Sequence, residues 1–259
     1  MTMNTFDKLF TIHQKPLAIR ITAGYPLIDD TLPLIKSLQD NGVKMVEISL
    51  PFSDPLAEGA LLQESSLIAL RNGMSTNVLF SQLENMRKHN VSIAIVLTAY
   101  INPIMQYGIE HFVCKCQQTG VSAVVIPDMP FDLYMSQYKG LFETHNVGFA
   151  SLIASQCCDE RIRHIDSNCN SFLYVVSAHD SNPMPHDDMT HQELFYKRLA
   201  SLGLKSTAFA GFNISTPEEY KLACQYTNGA IVDTAFVRHI AQYGTSQQSI
   251  ADFVSHYRL

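Results

Sequence analysis

Three carboxylates, Glu47, Asp54 and Glu58, fall within twelve positions of the stretch VEISLPFSDPLAEGA, residues 46–60. Such a group can be an acid–base pair or a surface turn. Glu47 interrupts an apolar run, where a carboxyl is costly unless it is paired, hydrated or used. It can serve as a proton carrier, or as a structural glutamate bonded to a neighbouring hydroxyl or amide. Asp54 and Glu58 follow in a loop stiffened by Pro51 and Pro55, in which Ser53 or Asp54 can close a local Asx-type turn. A four-residue spacing in a loop does not fix where Glu58 points.

The other chemistry-bearing residue types are less organised. Cys114 and Cys116 form C-x-C, Cys157 and Cys158 are adjacent, and Cys169 and Cys224 stand alone. None of these is the C-x-x-C pairing of a zinc site. The ten histidines are scattered and include no H-E-x-x-H. Reduced, partly buried thiols and no metal site are expected.

These residues must be positioned by a core, and 46% hydrophobic residues over 259 positions supply one. A net charge of −6 argues against a nucleic-acid partner. No apolar run reaches membrane-spanning length, and the N-terminal stretch lacks a signal-peptide core. A cytoplasmic protein is the expectation. Eight β-type runs bounded by turn signals emerge, at about 18–23, 44–49, 93–98, 122–127, 148–153, 172–177, 207–211 and 229–233. Helical stretches lie between them. One closes on Gly42, another on Gly120, and STPEEYKLACQYTNG opens with Ser215 or Thr216 as N-cap and Pro217 near N1. Two more, near 60–72 and 75–89, separate the second and third runs. Eight β–α alternations predict an α/β fold, a (β/α)8 TIM barrel with extra helices, spanning 1–259 as a single domain. A doubly wound open sheet ranks below it, because TAGYP after the first run is not a G-x-G-x-x-G turn. With Val46 and Ile48 facing the helices, Glu47 and Ser49 point into the barrel near the end of the second strand, where this fold places its active sites.

The segments ITAGYP, VEISLPFSDPLAEG, YINPIMQYGIEHF, VVIPDMP, GFNIS and GAIVDTAFV occur in an order and spacing that resemble the tryptophan synthase α chain over nearly the whole sequence. The resemblance implies a barrel that cleaves indole-3-glycerol phosphate, by retro-aldol chemistry, to indole and glyceraldehyde 3-phosphate. It implies no cofactor in this chain, and a partner β subunit carrying pyridoxal phosphate in an α2β2 heterotetramer. The family's strand-2 glutamate, the proton shuttle, matches Glu47. Its indole N–H acceptor, an Asp in P-L-A-D-G-P, matches Glu58 in PLAEGA, one methylene longer and followed by Ala60 in place of Pro. Tyr100 matches an aromatic that could line the indole pocket or simply pack in the core. Asp128 matches a strand-4 carboxylate and could equally be a turn residue.

The phosphate end departs from the family pattern. Small residues there let backbone N–H groups approach the phosphate. Gly211 is kept, but Asn213 replaces the second Gly of G-F-G-I-S, and Asp233 and Thr234 replace a Gly-Ser pair. The segment VSAHDSNPMPHDD lacks the Arg and Gly of the family's mobile loop, with His179 and His186 as candidate cations. The loops that the family turns toward the β subunit are better kept: Pro51, Ser53 and Asp54, and Asn102 and Pro103. Two readings compete on these grounds. One is an α subunit impaired in cleavage that still binds and activates a β subunit. The other is a fully active lyase with an adapted phosphate site. A barrel acting on a different, non-phosphorylated ligand is a third.

Overall fold

The structure is a computed structural model, and it describes residues 15–86, 90–176, 188–212 and 214–258. Nine strand segments form one sheet: β1 (Leu17–Thr22), β2 (Met45–Ser49), β3 (Ala94–Thr98), β4 (Ala123–Val125), β5 (Gly148–Phe149), β6 (Ser151–Ala154), β7 (Leu173–Val176), β8 (Ala208–Gly211) and β9 (Gly229–Val232). Each of the eight runs seen in the sequence overlaps one of them, except the fifth, which overlaps two. Their spatial order is β5-β4-β3-β2-β1-β9-β8-β7-β6, with every pair parallel. The two ends of that order, β5 and β6, are halves of one strand divided at Ala150. Ala150 N–H donates to Val124 O, and the next residue, Ser151, donates to Phe172 O. At that residue the chain passes from one neighbour to the other, and the sheet closes into a (β/α)8 barrel.

Strand alternation sorts the side chains. Ile19, Ile21, Val46, Ile48, Ile95 and Leu97 join the layer between the strands and the helices. Ala18, Met45, Val96, Phe172, Tyr174 and Phe209 pack inside the barrel. A fully buried aliphatic side chain is worth about 1.5–3 kcal/mol, so this alternation holds the register firmly. A one-residue slip would turn every apolar side chain to the wrong face.

The helices begin and end for local reasons. Helix Pro217–Tyr226 takes Thr216, not Ser215, as N-cap. Thr216 Oγ1 accepts the Glu219 N–H, and Glu219 Oε2 accepts the Thr216 N–H at 2.9 Å, a reciprocal capping box. Helix Ile109–Thr119 stops at Gly120, whose φ of 77° suits a residue without a Cβ. The paired helices between β2 and β3 span Ala60–Arg71 and Thr76–Met86. Among the described residues, no helix is long and apolar enough to cross a membrane.

Candidate functional site

Glu47 is the middle residue of β2, one layer below Ser49, which ends the strand. Both are buried and on the inward side. Register sets their neighbours. Arg20 of β1 pairs with Glu47, and in the layer above, Thr22, Ser49 and Thr98 stand side by side on β1, β2 and β3. Glu47 is 1% exposed. Its Oε1 accepts from Thr98 Oγ1 at 2.5 Å, and its Oε2 accepts from Tyr174 Oη at 3.2 Å. Burial pushes its carboxyl above the usual range. Arg20 and the Thr98 hydrogen bond oppose that rise, and the charges of Glu58 and Asp233 add to it. A carboxyl so placed can hold a proton and pass it on.

Glu58 leaves the loop for the barrel and is 3% exposed. Its two oxygens meet the Arg20 guanidinium, Nη1 at 2.9 Å from Oε2 and Nη2 at Oε1. Arg20 Nη2 also donates to Ser49 Oγ at 3.1 Å. Its Nε lies 3.4 Å from Glu47 Oε1. Burial alone would depress the guanidinium, but Glu58 and Glu47 hold it protonated well above its ordinary value. One cation therefore stands between the two candidate catalytic carboxylates. The Glu58 loop is anchored from outside by Tyr100, whose hydroxyl accepts the Ala57 N–H at 2.9 Å. The Tyr100 ring lies 5.4 Å from that of Phe52. Burial, then the Glu58 charge, raises the Tyr100 phenol to about 12. It stays neutral and can keep its hydrogen.

Asp233 is 2% exposed and is the N-cap of helix Thr234–Tyr243. Its Oδ1 accepts the Thr234 N–H at 2.5 Å. Burial raises its carboxyl, against the attraction of Arg20. Gly211 ends β8 under Tyr174. A Cβ there would lie 2.5 Å from the tyrosine ring and hydroxyl, so glycine is needed for packing at this position. Asp128 is exposed, and its Oδ1 accepts the Ile101 N–H at 2.9 Å, binding the turn after β4 to the first residue of helix Ile101–Tyr107. Asn213, His179 and His186 lie outside the described residues.

The loop residues face outward. Ser53 and Asp54 are exposed and bonded to each other, Oγ to Oδ2 at 2.5 Å, while Pro51 beneath them is buried. Asn102 is exposed and Pro103 half-buried on helix Ile101–Tyr107. The strand pattern points Glu47 into the barrel, Glu58 enters the site only through the family resemblance, and neither singles out Arg20, Thr98 or Tyr174. A signal for Arg20 was present: it lies between Ile19 and Ile21 in AIRITA, and a charge inside a buried strand needs a partner.

Fold and centre together define a (β/α)8 barrel with a carboxyl–guanidinium cluster among its strands. The sequence model of the family "Tryptophan synthase alpha chain" matches residues 6–257. A tryptophan synthase alpha chain of Flavobacterium psychrophilum is 44% identical over 253 residues, covering 98% of this chain and 99% of that one. One from Bacteroides thetaiotaomicron is 36% identical, covering 96% and 97%. The solved tryptophan synthase alpha chain of Legionella pneumophila superposes with a TM-score of 0.86 at 25% identity, covering 99% and 96%. The chain belongs to the tryptophan synthase alpha chain family, and so to tryptophan biosynthesis. In this family pyridoxal phosphate belongs to the β subunit, and the α chain carries no cofactor.

Proposed function

We propose that this chain is an α subunit that binds and stimulates a tryptophan synthase β subunit, while its own cleavage of indole-3-glycerol phosphate is slow. In the retro-aldol reaction Glu47 delivers a proton to indole C3 and recovers one from the side-chain hydroxyl. Glu58 accepts the indole N–H. The layout supports these roles, since both carboxylates reach one small region of the barrel from β2 and the loop after it.

The observation that carries the slow step is Asp233. A helix N-terminus receives phosphate through free N–H groups and a favourable dipole. At helix Thr234–Tyr243 the first N–H is already taken by the carboxylate of Asp233. A phosphate approaching there loses a donor and meets an acid. At about 5 Å and an effective dielectric of about 20, two unit charges repel by roughly 3 kcal/mol, and a dianion by twice that before screening. Even a quarter of the larger figure lowers affinity roughly tenfold.

The partner role rests on the exposed rim. Asp54 stands on the loop after β2 and Asn102 on helix Ile101–Tyr107 after β3, and the same two segments expose two apolar side chains, Leu56 at 87% and Met105 at 50%. A fixed carboxylate beside apolar anchors fits a partner surface that offers a Lys or Arg.

The test is steady-state indole release from indole-3-glycerol phosphate, with and without the cognate β subunit, for the parent protein and for Asn213→Gly with Asp233→Gly and Thr234→Ser. Slow release that rises sharply in the triple variant is expected, together with stimulation of the β reaction by the parent protein. Family-level turnover in the parent protein would overturn the slow-cleavage reading. Failure to bind or stimulate the β subunit would overturn the partner role.

A further inference from the structure

Arg20 has no part in the chemistry just set out, yet it touches both carboxylates that do. Each oxygen of Glu58 accepts one bond from its fork, and Ser49 Oγ takes a further hydrogen from Nη2. Its Nε makes no hydrogen bond and lies 3.4 Å from Glu47 Oε1, an oxygen already served by Thr98. The guanidinium is thus fully engaged on its Glu58 side and underused on its Glu47 side. A planar fork matched to a carboxylate makes charge-assisted bonds about twice as strong as neutral ones. Glu58 is 3% exposed, and the edge of its carboxylate toward Arg20 is held by two such bonds, so an indole N–H, a neutral donor, meets an acceptor already turned to the fork.

We propose that Arg20 is a latch on Glu58: substrate engages this carboxylate only after one bond of the Arg20 fork opens, and the guanidinium then closes its gap to Glu47. This deepens, and rests on, the reading of Glu58 as the indole N–H acceptor. Arg20 is a positioning residue, acting on the substrate through Glu58. Opening one charge-assisted bond weakens binding at the indole end by about 10–100-fold. The shift toward Glu47 couples the two carboxylates. The cation leaves the acceptor as the indole arrives and stabilises the shuttle once it has given up its proton.

The experiment uses the full chain and indole itself as the probe, in a cycle of R20K, E58Q and R20K/E58Q. Lysine keeps the positive charge, but its compact ammonium does not span both carboxylate oxygens as the planar fork does, so one Glu58 oxygen is released. R20K is expected to bind indole at least about tenfold more tightly than the parent protein, with KM for indole-3-glycerol phosphate falling more than kcat changes. In the E58Q background that gain disappears. Equal or weaker indole binding by R20K overturns the latch. So does a gain that survives E58Q, since Arg20 would then act by bulk alone. If R20K does not fold, the Arg20 Nε–H resonance of the parent protein carries the test: indole should shift it as the gap to Glu47 closes, and an unmoved resonance on indole binding overturns the latch. Rapid cleavage by the parent protein would sink the slow-cleavage reading and leave this affinity test standing. An unresponsive R20K sinks the latch alone when E58Q weakens indole binding, and sinks the acceptor role of Glu58 with it when E58Q leaves indole binding unchanged.

Discussion

Replacing Glu47 by Gln keeps the shape of the side chain and removes its proton, so it separates catalysis from packing. The Thr98 and Tyr174 hydroxyls at 2.5 and 3.2 Å can both remain near a carboxamide, which accepts on its oxygen and donates on its nitrogen. What is lost is the attraction to Arg20. At 3.4 Å and an effective dielectric of about 20 that attraction is about 5 kcal/mol before desolvation is counted. Desolvating a buried ion costs several kcal/mol. For Glu47 burial wins, because its carboxyl sits above the usual range despite Arg20. The folded protein then holds this proton more tightly than the unfolded chain does. This favours folding while the carboxyl is protonated in both states. As pH rises from about 4.5 through the folded pKa the contribution is lost, at about 1.4 kcal/mol per pH unit. Glu47→Gln lacks that loss. Its stability relative to the parent protein should therefore grow with pH across this window, while indole release falls by about 100–10,000-fold. Urea unfolding at pH 5 and pH 8, with an indole-release assay, checks both. A relative stability that instead grows as pH falls would mean that Arg20 outweighs burial. Unchanged turnover would mean that Glu47 carries no proton.

Three other perturbations test the surrounding parts. Asp54→Ala removes an exposed carboxylate bonded to Ser53, so unfolding should shift by less than about 0.5 kcal/mol while stimulation of the β subunit drops several-fold in a coupled assay. Tyr100→Phe leaves the Ala57 N–H without its acceptor, and should cost about 1 kcal/mol in urea unfolding and raise KM by loosening the Glu58 loop. Unchanged KM would detach Tyr100 from the site. Gly211→Ala forces a methyl against Tyr174, with an expected cost of about 1–3 kcal/mol; equal stability in thermal unfolding would show that the ring yields freely.

The barrel was legible because each strand is a short apolar run between turn residues, and the inward direction of Glu47 followed from Val46 and Ile48 on either side. The division at Ala150 was not legible. GFASLI is evenly apolar, and nothing in it marks where the chain exchanges β4 for β7 as its neighbour. Half of the polar centre was also hidden. Arg20 lies 38 positions from Glu58 and meets it only through the pairing of β1 with β2, and Tyr174 lies 127 from Glu47 and meets it only across the closed barrel. Asp128 had a local turn as its plain alternative. Its actual partner is a helix start 27 positions away, which spacing does not encode.

The ion pair of Arg20 and Glu58 also limits how this chain can change by descent. Removing one member of a buried pair strands the other charge and costs about 3–5 kcal/mol, against a total stability of about 5–15 kcal/mol for an ordinary domain. Replacing both members by apolar side chains of similar volume is often neutral. A lineage at this arrangement can leave it by a paired substitution, or by a charge-conserving one such as lysine for arginine, whereas single steps to neutral residues are selected against by loss of folded protein. Glu58 and Arg20 should therefore vary together among descendants of this chain, and an acceptor at position 58 should change least where position 20 is basic.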